Sequence, residues 1–167
     1  MQTITADSSS LIYLSKTGLL PLFAQVVHLA ISHHVYRECT RPPWPDDARH
    51  IHHLVESGIM TVYEIPSAYH LPLPRLGAGE RSTIELWYFL KADSVMIDDR
   101  KGICLCRQRE IPFLCAILVP GILKQNLILR DQKEVDLCIE KICQVGRYAQ
   151  WIIDYAKREA LCPRSEE

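Results

Sequence analysis

Five acidic residues, Asp7, Glu38, Glu80, Asp98 and Asp99, are the side chains of this sequence best placed to do chemistry. Carboxylates brought together without basic partners repel one another and take up protons unless a cation sits among them. Hard oxygen ligands select magnesium or manganese, and magnesium keeps several waters for substrate phosphates. The neighbours of each acid say how they could meet. Asp7 closes the β-rich run Thr3-Ile4-Thr5-Ala6, and Asp98-Asp99 closes Ser94-Val95-Met96-Ile97. In open parallel sheets ligands bind outside the carboxyl ends of strands, so two such ends can converge on one crevice. Glu80 is spaced i, i+4, i+7 with Ile84 and Trp87 and therefore leans towards the sheet. Glu38 follows Val35 by three residues on an earlier helix. Each acid also has a purely structural reading: Asp7 and Asp98-Asp99 as helix caps, Glu80 as a charge favoured by the helix dipole, Glu38 as a half-exposed helix residue. Their joint placement is what favours a metal.

The elements that must position these acids alternate between short β-rich runs and longer amphipathic stretches, the pattern of βαβ units around a parallel sheet. Strands are expected at residues 3–6, 25–31, 59–65, 94–97 and 113–117. Ser8, Ser9 and Ser10 can cap a helix carrying Leu11, Leu14 and, where it runs on, Leu19 and Leu20, and a second helix runs from Ser32 to before Pro42-Pro43. Trp44–Ser57 has start and stop signals for a helix, in Pro45-Asp46-Asp47 and Gly58. Residues 66–79 read as an irregular loop, and 80–90 and 100–109 as helices. From Asp131 to Leu161 the chain is helical, with Val135, Cys138, Ile142, Val145, Ala149, Ile152 and Ala156 on one stripe and Gly146 as a division.

At 167 residues with 48% hydrophobic and 23% charged side chains, the chain is long enough for one core and is not a disordered or fibrous sequence. Nineteen lysines and arginines against 20 acids give a net charge of -1, which excludes a polycation but not a local basic groove. Seven cysteines and no signal-like N-terminus argue for reduced thiols in the cytoplasm. Cys104-Leu105-Cys106 is too tightly spaced for a structural zinc pair, so the cysteines read as small core residues. The longest apolar run, Ile111–Leu123, is broken by Pro112, Pro120 and Gly121, so no membrane association is expected. His50, His52 and His53 lack a companion ligand at matching spacing. Trp44, Tyr63 and Tyr69 could stack bases, but packing explains them equally well.

The ordered motifs resemble the PIN-domain family. Asp7-Ser8-Ser9-Ser10-Leu11-Ile12-Tyr13-Leu14 is similar to its opening, and Val35-Tyr36-Arg37-Glu38 to its second acidic motif. Leu76-Gly77-Ala78-Gly79-Glu80-Arg81-Ser82-Thr83-Ile84 and Val95-Met96-Ile97-Asp98-Asp99-Arg100-Lys101-Gly102 resemble the third and fourth motifs of a VapC-like bacterial and archaeal branch. The resemblance covers roughly residues 3 to 128 and implies a three-layer α/β/α sandwich with a parallel sheet of about five strands. It divides the chain into a nuclease-like domain over 1–130 and a C-terminal helical extension over 131–167, packed on that domain or on a partner. It further implies a magnesium- or manganese-dependent endoribonuclease, the toxin of a toxin–antitoxin pair, with RNA as substrate, an antitoxin protein and a second copy of the chain as partners. Asp7, Glu38, Glu80 and Asp99 would be catalytic; Asp7, Glu80, Asp98 and Asp99 would hold metal, with Asp99 in direct contact and Asp98 orienting a water or capping the next helix. Ser8, Arg100 and Lys101 would meet substrate.

Two other readings are distinguishable from this one. An aspartyl phosphotransferase would use Asp7 as nucleophile, but it requires a second acid two residues later or an acidic pair, and neither is present. A PIN-like scaffold that binds nucleic acid or protein without cutting is the alternative from a different class.

Overall fold

The computed structural model describes residues 1–43, 45–73 and 75–160, the side chain of Glu159 excepted, so the expectations for Trp44, Leu161 and Cys162 lie outside the described residues. Its order is β1 (Gln2–Ala6), α1 (Ser8–Lys16), α2 (Leu20–Phe23), β2 (Val27–Ser32), α3 (His33–Cys39), α4 (Asp46–Glu56), β3 (Met60–Tyr63), α5 (Ala78–Leu90), β4 (Ser94–Met96), α6 (Arg100–Gln108), β5 (Phe113–Leu114), α7 (Val119–Gln125), α8 (Gln132–Val145) and α9 (Gln150–Glu159), with 3-10 turns at Ser67–Tyr69 and Ala116–Leu118. All strands are parallel, in the order β3-β2-β1-β4-β5.

That order places β1 at the centre, with Thr5 opposite both Ala30 and Val95. A strand covered on both faces has no polar side, which is why Ile4, Thr5 and Ala6 are all buried in a run without alternation. On one face a large core joins Ile4, Ala6, Leu29 and Met96 to Leu11, Leu14, Phe23, Ile51, Leu123, Val135, Ile139 and Ile142. On the other, Val95 and Ile97 pack with Ile84 of α5 and Cys106 of α6. The layers are thus helices, sheet, helices: the expected three-layer α/β/α sandwich. Full burial of side chains such as Phe23 or Leu14 contributes about 1.5–3 kcal/mol each.

Side chains start several helices: Ser32 accepts from Val35 N at 3.1 Å, and Asp131 from Glu134 N at 2.9 Å. Gly58, at φ 72°, ends the turn that follows α4, a conformation costly for residues with a Cβ. The fifth strand is shorter than expected. Only Phe113 and Leu114 pair with Val95 and Met96, because the chain then bends so that Ala116 N can reach Asp98. Leu20 begins a separate short helix, α2, and does not extend α1, and α7 is a helix the apolar pattern does not predict; each has proline in its first turn, where no amide donor is needed.

The C-terminal segment is a helical hairpin folded back against α1, α7 and the 3-10 turn at Ala116–Leu118. Val135, Ile142 and Ala156 are buried, whereas Val145, the last residue of α8, and Ala149, which precedes α9, are exposed where the chain turns between the two helices. Cys39, Cys106 and Cys115 are buried as expected, but Cys104 points outward from α6. Among the described residues, no helix is long and apolar enough to cross a membrane.

Candidate active site

The central strand delivers Asp7. Its backbone N–H donates to Met96 O at 3.0 Å, extending the β1–β4 pairing by one residue before the chain turns into α1. The carboxylate folds over that turn and is 2% exposed. Oδ1 accepts from Ser10 N and Oδ2 from Ser9 Oγ, both at 2.8 Å. Asp7, and not one of the serines, is therefore the N-cap of α1.

The serines have another task. Ser8 Oγ donates to Glu38 Oε2 at 3.0 Å, and Ser10 Oγ donates to Asp98 Oδ2 at 2.6 Å. Three consecutive hydroxyls each hold a different acid: Ser8 takes Glu38 on α3, Ser9 takes Asp7 after β1, and Ser10 takes Asp98 after β4. One turn of helix gathers carboxylates from positions 7, 38 and 98.

Asp98 and Asp99 both stand beyond the end of β4, so the strict two-sided alternation of a strand no longer separates them. They nevertheless do different things. Asp98 accepts from Ala116 N at 3.1 Å and from the Tyr148 hydroxyl at 2.6 Å, besides Ser10. Asp99 Oδ2 accepts from Lys101 N at 2.7 Å and Gly102 N at 3.0 Å and caps α6. The capping role expected of Asp98 falls to Asp99, because the helix begins immediately after it.

Glu38 and Glu80 depend on glycines. A Cβ on Gly79 would stand 2.5 Å from Glu38 Oε2, so the approach of α3 to α5 leaves room for the carboxylate only where no side chain exists. The Glu80 carboxylate lies against Gly77, and its Cγ is 4.0 Å from where a Cβ of Gly102 would be. Gly102 N donates to Asp99, and the space a Cβ there would take is filled by Ile97. Thr83 Oγ1 ties this end of α5 to the sheet by donating to Ala6 O at 3.3 Å and to Gly79 O at 2.9 Å.

Burial dominates the electrostatics. It pushes Asp7 up to about 6, with repulsion from Asp98 adding and the Ser10 and Ser9 hydrogen bonds opposing. Burial likewise raises Asp98 against the bonds from Ser10, Tyr148 and Ala116. Cys39 and Cys115 are pushed up to about 12 by burial, with acids of the site adding, and remain thiols. Among the described residues, Arg49 pairs with Asp46, and His33 and His34 stand beside Glu64 and Glu38 at 3.6 and 3.2 Å; no lysine or arginine pairs with Asp7, Glu80, Asp98 or Asp99. The acids are held by neutral donors and are short of positive charge. Oxygen donors with that deficit fit a hard divalent cation. No three histidine, cysteine or acidic side chains among the described residues are already gathered around one point, so ligation requires side-chain rotation.

Beyond the acids, Arg100 and Lys101 are exposed and line a cleft of about 790 Å³ with Arg75. His52 accepts or donates at 2.6 Å with the Tyr36 hydroxyl. Tyr69 packs edge-on against Phe89, and Tyr63 lines a separate cavity. Tyr148 was not anticipated from the sequence. It lies between α8 and α9, its ring meets Tyr13 edge-on at 6.3 Å, and a Cβ on Gly146 would come within 2.6 Å of it. The sequence signal is that glycine, two residues earlier. Burial and the Asp98 charge push the Tyr148 hydroxyl up, so it remains a donor.

A family profile described as a PIN domain matches residues 3–154, running through α8 and into α9. No curated protein matches the chain.

Proposed function

The chain belongs to the PIN-domain family, a family of nucleases, and from that premise we propose that it is a magnesium- or manganese-dependent endoribonuclease. The observation that carries this reading is the serine turn, which collects Asp7, Glu38 and Asp98, with no lysine or arginine paired to any of them among the described residues. Asp7, Glu80, Asp98 and Asp99 would hold the ion, with Glu38 beside it. A bound divalent ion supplies an acidified water and neutralises charge on the phosphodiester.

The chain's own residues do the rest. Arg75, Arg100 and Lys101 bind the RNA backbone along their cleft and set its register relative to Asp99. Ser8 keeps Glu38 turned towards Asp7, where the carboxylate can take a proton from the attacking water. Ser10 and Tyr148 fix Asp98 beside Asp7, where its charge adds to the upward shift of the Asp7 carboxyl. The buried position of Asp7 excludes water from one side of the reacting group.

Acting on RNA in the cytoplasm, such an enzyme serves as the toxin of a toxin–antitoxin pair, restrained by an antitoxin protein. A second copy of the chain is its other partner, supported by Trp151 and Tyr155, apolar rings 62% and 43% exposed on α9. One observation favours the non-cutting scaffold: both oxygens of Asp7 and of Asp98 already accept internal donors. Incubating the purified protein with mixed RNA decides. Cleavage that requires manganese and stops with EDTA is expected; binding without cleavage at any manganese concentration would establish the scaffold.

A further inference from the structure

Resting on the ribonuclease reading, we propose that the cavity between the ends of β2 and β3 and the first turns of α5 is a nucleobase pocket, in which Glu85 accepts a hydrogen bond from the exocyclic amino group of a base. The cavity measures about 440 Å³ and is open to solvent at the same edge of the sheet as the acids. Sites that enclose small ligands typically fall between roughly 300 and 1,000 Å³. Glu85 lines it, yet is only 5% exposed. Its Oε1 accepts from Leu71 N at 2.8 Å. Among the described residues its second oxygen has no donor. That oxygen is not among the fully buried polar atoms that lack a partner, so it reaches solvent, and a ligand filling the cavity it lines must supply a donor in water's place.

The walls suit a nucleotide. Arg81, one helical turn before Glu85, lines the same cavity and enters no ion pair among the described residues, leaving its fork for a phosphate. Tyr63 and His70 offer planar faces. The cavity is also joined to the acids. His34 lines it and bonds Glu38 at 3.2 Å, and Glu38 accepts from Ser8, next in sequence to Asp7. A nucleotide seated there therefore flanks the bond at the acids. A single carboxylate oxygen discriminates among bases. Cytosine, adenine and guanine each present an amino group, whereas uracil sets its one N–H between two carbonyls that repel a carboxylate.

The test uses the full chain in EDTA and four labelled RNA hexamers, oligouridine and the same hexamer with one central C, A or G, read by fluorescence anisotropy. We expect at least one amino-bearing hexamer to bind roughly tenfold or more tightly than oligouridine. Glu85→Gln keeps an oxygen for Leu71 N but turns a donor into the cavity, so the preference should collapse or move towards uracil. Arg81→Ala, which leaves Glu85 in place, should weaken all four hexamers by one common factor and lower the salt slope by about one. Four hexamers bound within twofold of one another, no binding of any, a preference unchanged by Glu85→Gln, or a salt slope unchanged by Arg81→Ala would overturn the pocket. Manganese-dependent cleavage is measured separately. Base preference without cleavage removes the nuclease reading and leaves the pocket, while cleavage without preference does the reverse.

Discussion

At Asp7 one carboxylate caps α1 and also carries the charge that a cation would answer, and its titration follows from that double position. Burial lifts it from the usual 3.8 to about 6, so the fold favours the protonated form. Its contribution to stability is therefore complete below about 3.8 and is lost as pH rises through about 6, a difference of ~3 kcal/mol at most. Metal-free protein should melt at a lower temperature near neutral pH than at about pH 5, and Asp7→Asn should flatten that part of the profile. The same variant should cut no RNA with manganese present; full-rate cleavage would remove Asp7 from the centre. Asp98 and Asp99 should separate in a paired measurement of rate and melting. Asparagine caps helices well, so Asp99→Asn keeps the fold and loses the ion. Asp98→Asn must turn an amide towards at least one of three existing donors, which costs about 1–3 kcal/mol of stability, with a smaller loss of rate, about ten- to hundredfold. A milder loss at Asp99 than at Asp98 would reverse their roles. These acids were legible because strand ends and helix faces are written in local pattern. Tyr148 was not, because it reaches Asp98 across 50 residues of chain and no periodicity marks such a contact.

Among the elements, the turn between α8 and α9 acts on the centre from the far end of the chain. Tyr148→Phe keeps the ring against Tyr13 and removes one donor from Asp98. We expect its melting temperature to stay within a few degrees of wild type while the cleavage rate falls by about tenfold or more. An unchanged rate would make the contact packing alone. The four longer strands and the helices from α3 to α6 were readable because caps, prolines and apolar spacing agree there. β5 was overextended, since Phe113–Ile117 is uniformly apolar and apolarity does not say where pairing stops. The same ambiguity hid α7 inside the apolar run that follows, and α2 is too short to show a period. Gly79 and Gly102 show a further limit. Their place in a motif was visible, but the side chains that occupy the space beside them, Glu38 of α3 at Gly79 and Ile97 after β4 at Gly102, come from other elements and no local pattern specifies them.

For the whole molecule, the stripe on α8 and α9 is largely spent on its own core, and the apolar remainder exposed on these helices is Val145 of the stripe with Leu137, Trp151 and Tyr155 beside it. If that remainder joins two copies, light scattering should give a dimer at micromolar concentration and Trp151→Glu a monomer. A wild-type monomer under those conditions would reject the assembly. The sheet order carries a consequence in time. β1 is made first in synthesis, yet its partner β4 follows some ninety residues later and Tyr148 later still. A chain emerging at about 5–20 residues per second holds Asp7 for several seconds before Asp98 exists to stand beside it. Long-range parallel pairing cannot be hurried by local structure. A growing chain thus carries Asp7 and Glu38 as isolated acids, and the candidate site gains its last hydrogen-bond donor only when Tyr148 has emerged.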